Sequence, residues 1–152
     1  MNEEGNKTLV IGIGNSGRQD DGLGWAFLDK IGPLLDNDFD LEYRYQLQIE
    51  DAELISHYNR VYFVDASKEQ CPDGVLFEEC EPKDSRGFSS HALHPETILY
   101  LSKNVYNKAP QSYILGISGV EFGLEIGLSP LAEDNLKKAT DWFLKRILVS
   151  SY

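Results

Sequence analysis

The chain has 152 residues, of which 14 are Lys or Arg and 25 are Asp or Glu, giving a formal net charge of −11. That length suits one domain with a core of its own, and the negative charge argues against nucleic acid and anionic membrane surfaces as partners. No stretch approaches the roughly 20 apolar residues of a membrane span. The opening Met1–Lys7 is polar and acidic rather than a secretory leader. The chain is therefore expected to be a cytoplasmic monomer over residues 1–152.

The organising stretch is TLVIGIGNSGRQDDGLGWAFLDKIGPLL, residues 8–35. Thr8 to Ile13 is an apolar run too short for a helix and reads as a buried strand. Leu23, Ala26, Phe27, Ile31, Leu34 and Leu35 then recur at helical spacing. Between strand and helix lie Gly12, Gly14, Asn15, Gly17, Asp20 and Asp21. Gly12, Gly14 and Gly17 fit the G-x-G-x-x-G dinucleotide fingerprint. A pyrophosphate, however, would meet two carboxylates where it needs the positive end of a helix dipole. Asp20 reads as a helix N-cap, and Asp21 as a group free for a cation.

Leu41, Tyr43, Tyr45, Leu47 and Ile49 alternate with polar residues, which predicts a strand over 41–49. A short helix over 50–58 follows, and Val61 to Val64 is a second buried strand that ends in Asp65. Alternating strands and helices imply a parallel sheet. The link from Ala66 through Pro72-Asp73-Gly74 has no helical pattern and is too short for a parallel crossover. Strand 75–80 is therefore expected to run antiparallel. Cys71 and Cys80 form neither a C-x-x-C pair nor a zinc quartet, and both are expected to be reduced.

Residues 81–93 read as a polar, mobile surface loop carrying Ser89, Ser90 and His91. Pro95 opens a helix to about Tyr106, and Tyr113 to Ile117 is the last buried strand. Ser118 to Gly127 is a loop, and Ser129 with Pro130 opens the final helix. The expected architecture is three-layer α/β: a mostly parallel five-stranded sheet with one antiparallel strand and helices on both faces. Strands near 8–13, 41–49, 61–65 and 112–117 are the parallel ones.

In that topology Asp21, Asp65 and His91 all lie at or after carboxyl ends of strands, where open α/β sheets bind ligands. Singly, each has an ordinary explanation: a helix-start charge, a loop cap, a surface histidine. Together, two carboxylates and an imidazole suit a borderline divalent ion such as zinc or nickel, with a position left open. His94 is the alternative imidazole, and Cys71 with His94 a second conceivable pair. No G-x-S-x-G elbow is present.

The opening VIGIGNSGRQDDGLG resembles the signature of the hydrogenase maturation endopeptidases, where a strand runs into G-x-G-N, an acidic pair and G-x-G. The likeness continues through VYFVDAS, Pro72-Asp73-Gly74, Ser89-Ser90-His91 and Gly127-Leu128-Ser129-Pro130, and so covers nearly the whole chain. The resemblance implies an endopeptidase that recognises nickel in a hydrogenase large-subunit precursor and removes the precursor's C-terminal peptide. It matches Asp21 and Asp65 to the carboxylates that contact nickel, and His91, favoured over His94, to the imidazole. Gly12, Gly14 and Asn15 shape the turn. Nickel is then carried by the substrate and need not reside in the free enzyme. The catalytic nucleophile stays open, with Asp21 and Asp65 the best candidates.

Two departures from the pattern stand out. Ser118-Gly119-Val120 replaces the Gln-Pro common after the last strand, and Asp21 is shorter than the Glu of some members. Two other readings compete with the peptidase. One is a non-catalytic nickel-binding or chaperone module of the same fold. The other is a nucleotide-binding protein using Gly12, Gly14 and Gly17.

Overall fold

The computed structural model describes residues 7–84 and 93–150. Five strands, β1 (Thr8–Ile13), β2 (Phe39–Arg44), β3 (Arg60–Ser67), β4 (Val75–Cys80) and β5 (Gln111–Ser118), form one sheet in the order β2-β1-β3-β5-β4. β1, β2, β3 and β5 are mutually parallel, and β4 lies antiparallel to β5 at the sheet edge. Helices α1 (Leu23–Ile31), α2 (Asp51–Ile55), α3 (Pro95–Tyr106) and α4 (Pro130–Ser150) connect or follow the strands.

Two apolar layers sandwich the sheet. Val10, Tyr62, Val64 and Leu115 point to the side covered by α1 and α4, through Phe27, Leu28, Leu136 and Phe143. Leu9, Ile11, Val61 and Phe63 point to the other side, covered by α2 and α3 through Ile55, Ile98 and Leu99. Strand residues alternate between faces because side chains do so at period two, and a sheet buried on both faces reads as a continuous apolar run. The expected mostly parallel sheet, the antiparallel fourth strand and the helices on both faces are all present.

Element boundaries depart from the sequence reading in three places. The alternation over 41–49 pairs only as far as Arg44. There the Arg44 carbonyl accepts from the Gly14 amide at 2.9 Å and from the Trp25 indole at 3.0 Å. The buried Asp51 carboxylate then captures the Gln48 amide at 2.8 Å and the Arg44 guanidinium at 3.1 Å, which turns the chain out of the sheet. Tyr45 and Ile49 are consequently 68% and 67% exposed. The predicted helix over 50–58 is confined to Asp51–Ile55. The first helix stops at Ile31 and tightens into a 3-10 turn at Gly32–Leu34, because Pro33 cannot continue an α-helical ladder. By contrast α3 spans Pro95–Tyr106 and ends on Asn107 in the left-handed conformation, a helix-stop geometry.

The sheet order reverses direction at β1. From there the chain goes to β2 on one side and later to β3 on the other, so the carboxyl ends of β1 and β3 flank the switch-point crevice. Access of α1 to this crevice rests on Gly24. A Cβ there would stand 2.6 Å from the Val64 carbonyl oxygen and 2.7 Å from that of Ile13. Only a residue without a side chain lets the helix start directly on the sheet edge. Gly24→Ala is expected to destabilise the protein by about 2 kcal/mol or more, the scale of overpacking against rigid backbone. Urea denaturation checks this, and a variant within about 0.5 kcal/mol of the parent would contradict it.

Candidate functional site

β1 ends at Ile13, whose register partner on β3 is Asp65. Gly14 follows at φ +147°, a conformation that side chains oppose. It turns the chain so that the Asn15 amide donates to the Asp21 carbonyl at 3.1 Å. The Asn15 side chain accepts from the Gly17 amide at 2.8 Å, closing the turn on itself. Gly14 and Asn15 lie in this turn, whereas Gly12 lies within β1. The amides of Gly14, Asn15 and Gly17 all have partners within the protein, and a turn so engaged offers little to a pyrophosphate.

Asp20 and Asp21 lie together in a 3-10 turn, Gln19–Gly22, that leads into α1. The expectation that Asp20 caps this helix is not met, since Gly22 precedes α1 without a side-chain cap. Asp20 instead points away from its own helix and is fully buried. Its carboxylate accepts from the amides of Val120, Glu121 and Ser129 at 2.8, 3.0 and 2.8 Å and from the Ser129 hydroxyl at 2.8 Å. Burial alone would raise its pKa. The hydrogen bonds from Ser129, Glu121 and Val120 outweigh that and hold it below the usual carboxylate range. The Ser129 oxygen also accepts from the Ala132 amide at 3.2 Å, so it does cap α4 as the sequence indicates.

Asp21 has the opposite environment. Burial pushes its carboxyl upward, against the Asn15 amide and the positive charges of Arg18 and Lys68. Asp65, on the neighbouring strand, is pushed up to about 7. Burial is the main cause, the Ala66 amide at 2.7 Å opposes it, and the charge of Asp21 adds to it. Both carboxyls line one cleft of about 300 Å³, together with Ile13, Gly14 and the segments Tyr45–Leu47 and Leu93–Pro95. Leu47 and Leu93 form an isolated antiparallel bridge that joins those two segments.

His94 is on the wall of this cleft. His91, the favoured imidazole, lies outside the described residues with Ser89, Ser90 and most of the 81–93 loop. Among the described residues, no three side chains of His, Cys, Asp and Glu are gathered closely enough to hold a metal ion. Asp21 and Asp65 are thus brought to one place, with the His94 side of the cleft facing them. Cys71 is not part of it: its thiol is close to the Ser67 hydroxyl and the Glu69 carbonyl. Cys71 and Cys80 are both free thiols.

Trp25 is half-buried, its ring 5.7 Å from that of Tyr43 and 5.0 Å from that of Tyr45. The sequence reading missed the cleft wall at Tyr45–Leu47, because the alternation there looks like a continuing strand. It also missed the task of Asp20, for which a D-D pair carries no local signal.

The fold and crevice define a doubly wound α/β protein with a carboxylate-lined switch point. More narrowly, the fold is that of the hydrogenase maturation endopeptidases. The hydrogenase maturating endopeptidase HybD from Escherichia coli superposes with a TM-score of 0.74 at 17% identity, over 95% of this chain and 93% of that one. The nickel–iron hydrogenase maturation protease HycI from Thermococcus kodakarensis gives a TM-score of 0.74 at 18% identity, over 92% and 91%. The hydrogenase 2 maturation peptidase from a Thaumarchaeota archaeon gives 0.68 at 18% identity, over 93% and 97%. The sequence matches no family model and no curated protein.

In the free protein the Asp65 carboxyl is expected to titrate near pH 7, read by carboxyl-carbon NMR, and to move lower in Asp21→Asn. Its folded pKa lies above the unfolded one, so the folded state holds the extra proton between about pH 4 and 7. Stability should therefore fall as pH rises through that window, and the thermal advantage of Asp65→Asn over the parent should grow from pH 5 to pH 8. A midpoint near 4 that ignores Asp21 would contradict the coupling.

Proposed function

We propose that this protein is a maturation endopeptidase that recognises nickel in a hydrogenase large-subunit precursor and removes the precursor's C-terminal peptide. The observation that carries the reading is the pair Asp21 and Asp65, electrostatically coupled at the switch-point crevice of a maturation-endopeptidase fold. A carboxyl pushed up to about 7 by burial gives the fold little when it ionises. It becomes an effective acceptor once a divalent ion displaces its proton.

In this reading Asp21, Asp65 and His91 contact the metal, which is cargo of the substrate. His91 lies two residues before Leu93, where the chain joins the cleft wall, and His94 is the neighbouring imidazole on that wall. Two carboxylates and one imidazole match the donor preference of nickel while leaving further positions to the precursor's own ligands. Contact with the ion then serves as the check that the precursor is loaded before its peptide bond is cut. The same ion can polarise a nearby carbonyl or acidify a water. The chain is read as acting as a single-domain monomer in the cytoplasm. Among the described residues, no helix is long and apolar enough to cross a membrane.

The test is intact-protein mass spectrometry of a nickel-loaded large-subunit precursor incubated with the wild type, Asp21→Asn and Asp65→Asn. The wild type is expected to shorten the loaded precursor and leave the nickel-free one whole. Each variant is expected to be slower by about a hundredfold or more, at or beyond the penalty for disturbing a metal's ligand shell. His91→Ala should lose more activity than His94→Ala. A loaded precursor of unchanged mass after incubation with folded wild-type protein would reject the peptidase reading. If that precursor nonetheless binds, the non-catalytic nickel-binding module takes its place.

A further inference from the structure

The loop from Gly119 to Leu128, between β5 and α4, exposes apolar side chains although it is firmly anchored. Leu124 is 77% and Ile126 90% exposed, and Val120 is 46% exposed. Phe122, by contrast, lies under the Lys68 ammonium, 5.2 Å from its ring centre.

Three independent ties hold the loop. The Asp20 carboxylate takes the amides of Val120, Glu121 and Ser129. The Gln19 and Asp20 amides donate to the carbonyls of Glu125 and Glu121 at 2.8 and 2.9 Å. The Gln19 side-chain oxygen accepts from the Gly123 amide at 2.7 Å, with Gln19 itself held at φ +50°. A loop this restrained does not expose its largest aliphatic side chains for lack of order. It presents them in one arrangement, and little conformational freedom remains to be lost on binding.

We propose that Leu124 and Ile126 form a docking epitope for the precursor protein, separate from the cleft that meets its metal. This rests on the proposed function and adds how the partner is gripped. Glu121 and Glu125 are exposed in the same loop, Glu125 between the two apolar residues in sequence, on a chain of net charge −11. Charge complementarity therefore selects a partner surface with an apolar depression bordered by Lys or Arg. Lys68 lies over Phe122 of the loop and its charge also acts on Asp21, so the loop and the cleft are neighbours. Apolar anchors give the grip, and the acidic flank favours encounter and excludes acidic partners.

The experiment measures Kd by biolayer interferometry, and kcat and KM by mass spectrometry, using the nickel-loaded large-subunit precursor. It compares the wild type, Leu124→Ser/Ile126→Ser, Glu125→Lys and Leu34→Ser. Leu34 is 62% exposed and sits at the opposite end of α1, so it controls for loss of any exposed apolar group. The double variant is expected to raise Kd and KM about tenfold or more, the size of a lost hot spot, while kcat stays within about twofold. Glu125→Lys should raise Kd, most at low salt. Leu34→Ser should change neither constant.

A double variant whose Kd and KM match the wild type overturns the epitope, even where the wild type cleaves normally and the peptidase reading stands. A loss equal to that of Leu34→Ser also overturns it, as does tighter binding by Glu125→Lys. If the wild type binds without cleaving, the peptidase reading fails and the Kd series still decides the epitope. A wild type that neither binds nor cleaves overturns both.

Discussion

The close approach of α1 to the sheet edge is the constraint on which the rest of the molecule depends. A helix whose second residue, Gly24, lies against the Val64 and Ile13 carbonyls brings its preceding turn directly over the carboxyl ends of β1 and β3. The turn carries Asp20 and Asp21, and Asp65 stands near the carboxyl end of β3, opposite Ile13 of β1. With a side chain at position 24, the helix would stand off and Asp21 would move away from the crevice. Gly14 supplies the second half of the same constraint, since its backbone geometry lets the Asp21 carbonyl close on the Asn15 amide.

Two adjacent aspartates are then given opposite tasks by their surroundings. Asp20 faces inward, collects four hydrogen bonds, and stays ionised as the tie between the first helix and the loop before the last. Asp21 faces the crevice with weaker support and shares its field with Asp65. Identical side chains thus differ in charge preference because four donors hold Asp20 while burial outweighs the Asn15 amide at Asp21. Proteins often break local consistency at a functional position while keeping it elsewhere, and these neighbours show both behaviours within two residues.

Much of this was legible in the sequence. The strand–turn–helix opening, the apolar run closed by Asp65, and the short link that forces β4 to run antiparallel are local patterns with one dominant solution each. The limits of legibility are just as physical. Alternation over 41–49 reports side-chain spacing but not whether a neighbouring strand is present, and the pull of Asp51 on Gln48 and Arg44 ends the pairing early. The partners of Asp20 lie about a hundred residues away along the chain, so a local reading assigned it a helix cap. The carboxylates could be placed because strand ends are well defined. The histidine could not be chosen between His91 and His94 on spacing, because both fall in a polar stretch with no periodic frame.

The central claim is that Asp21, Asp65 and a histidine meet the nickel of a partner protein. X-ray absorption at the nickel edge tests it most directly, with the nickel-loaded precursor measured alone, with the wild type and with the Asp21→Asn/Asp65→Asn double variant. The account predicts added oxygen or nitrogen neighbours around nickel when the wild type is present and a spectrum like that of the precursor alone with the double variant. A nickel environment that the bound wild-type protein leaves unchanged would contradict it.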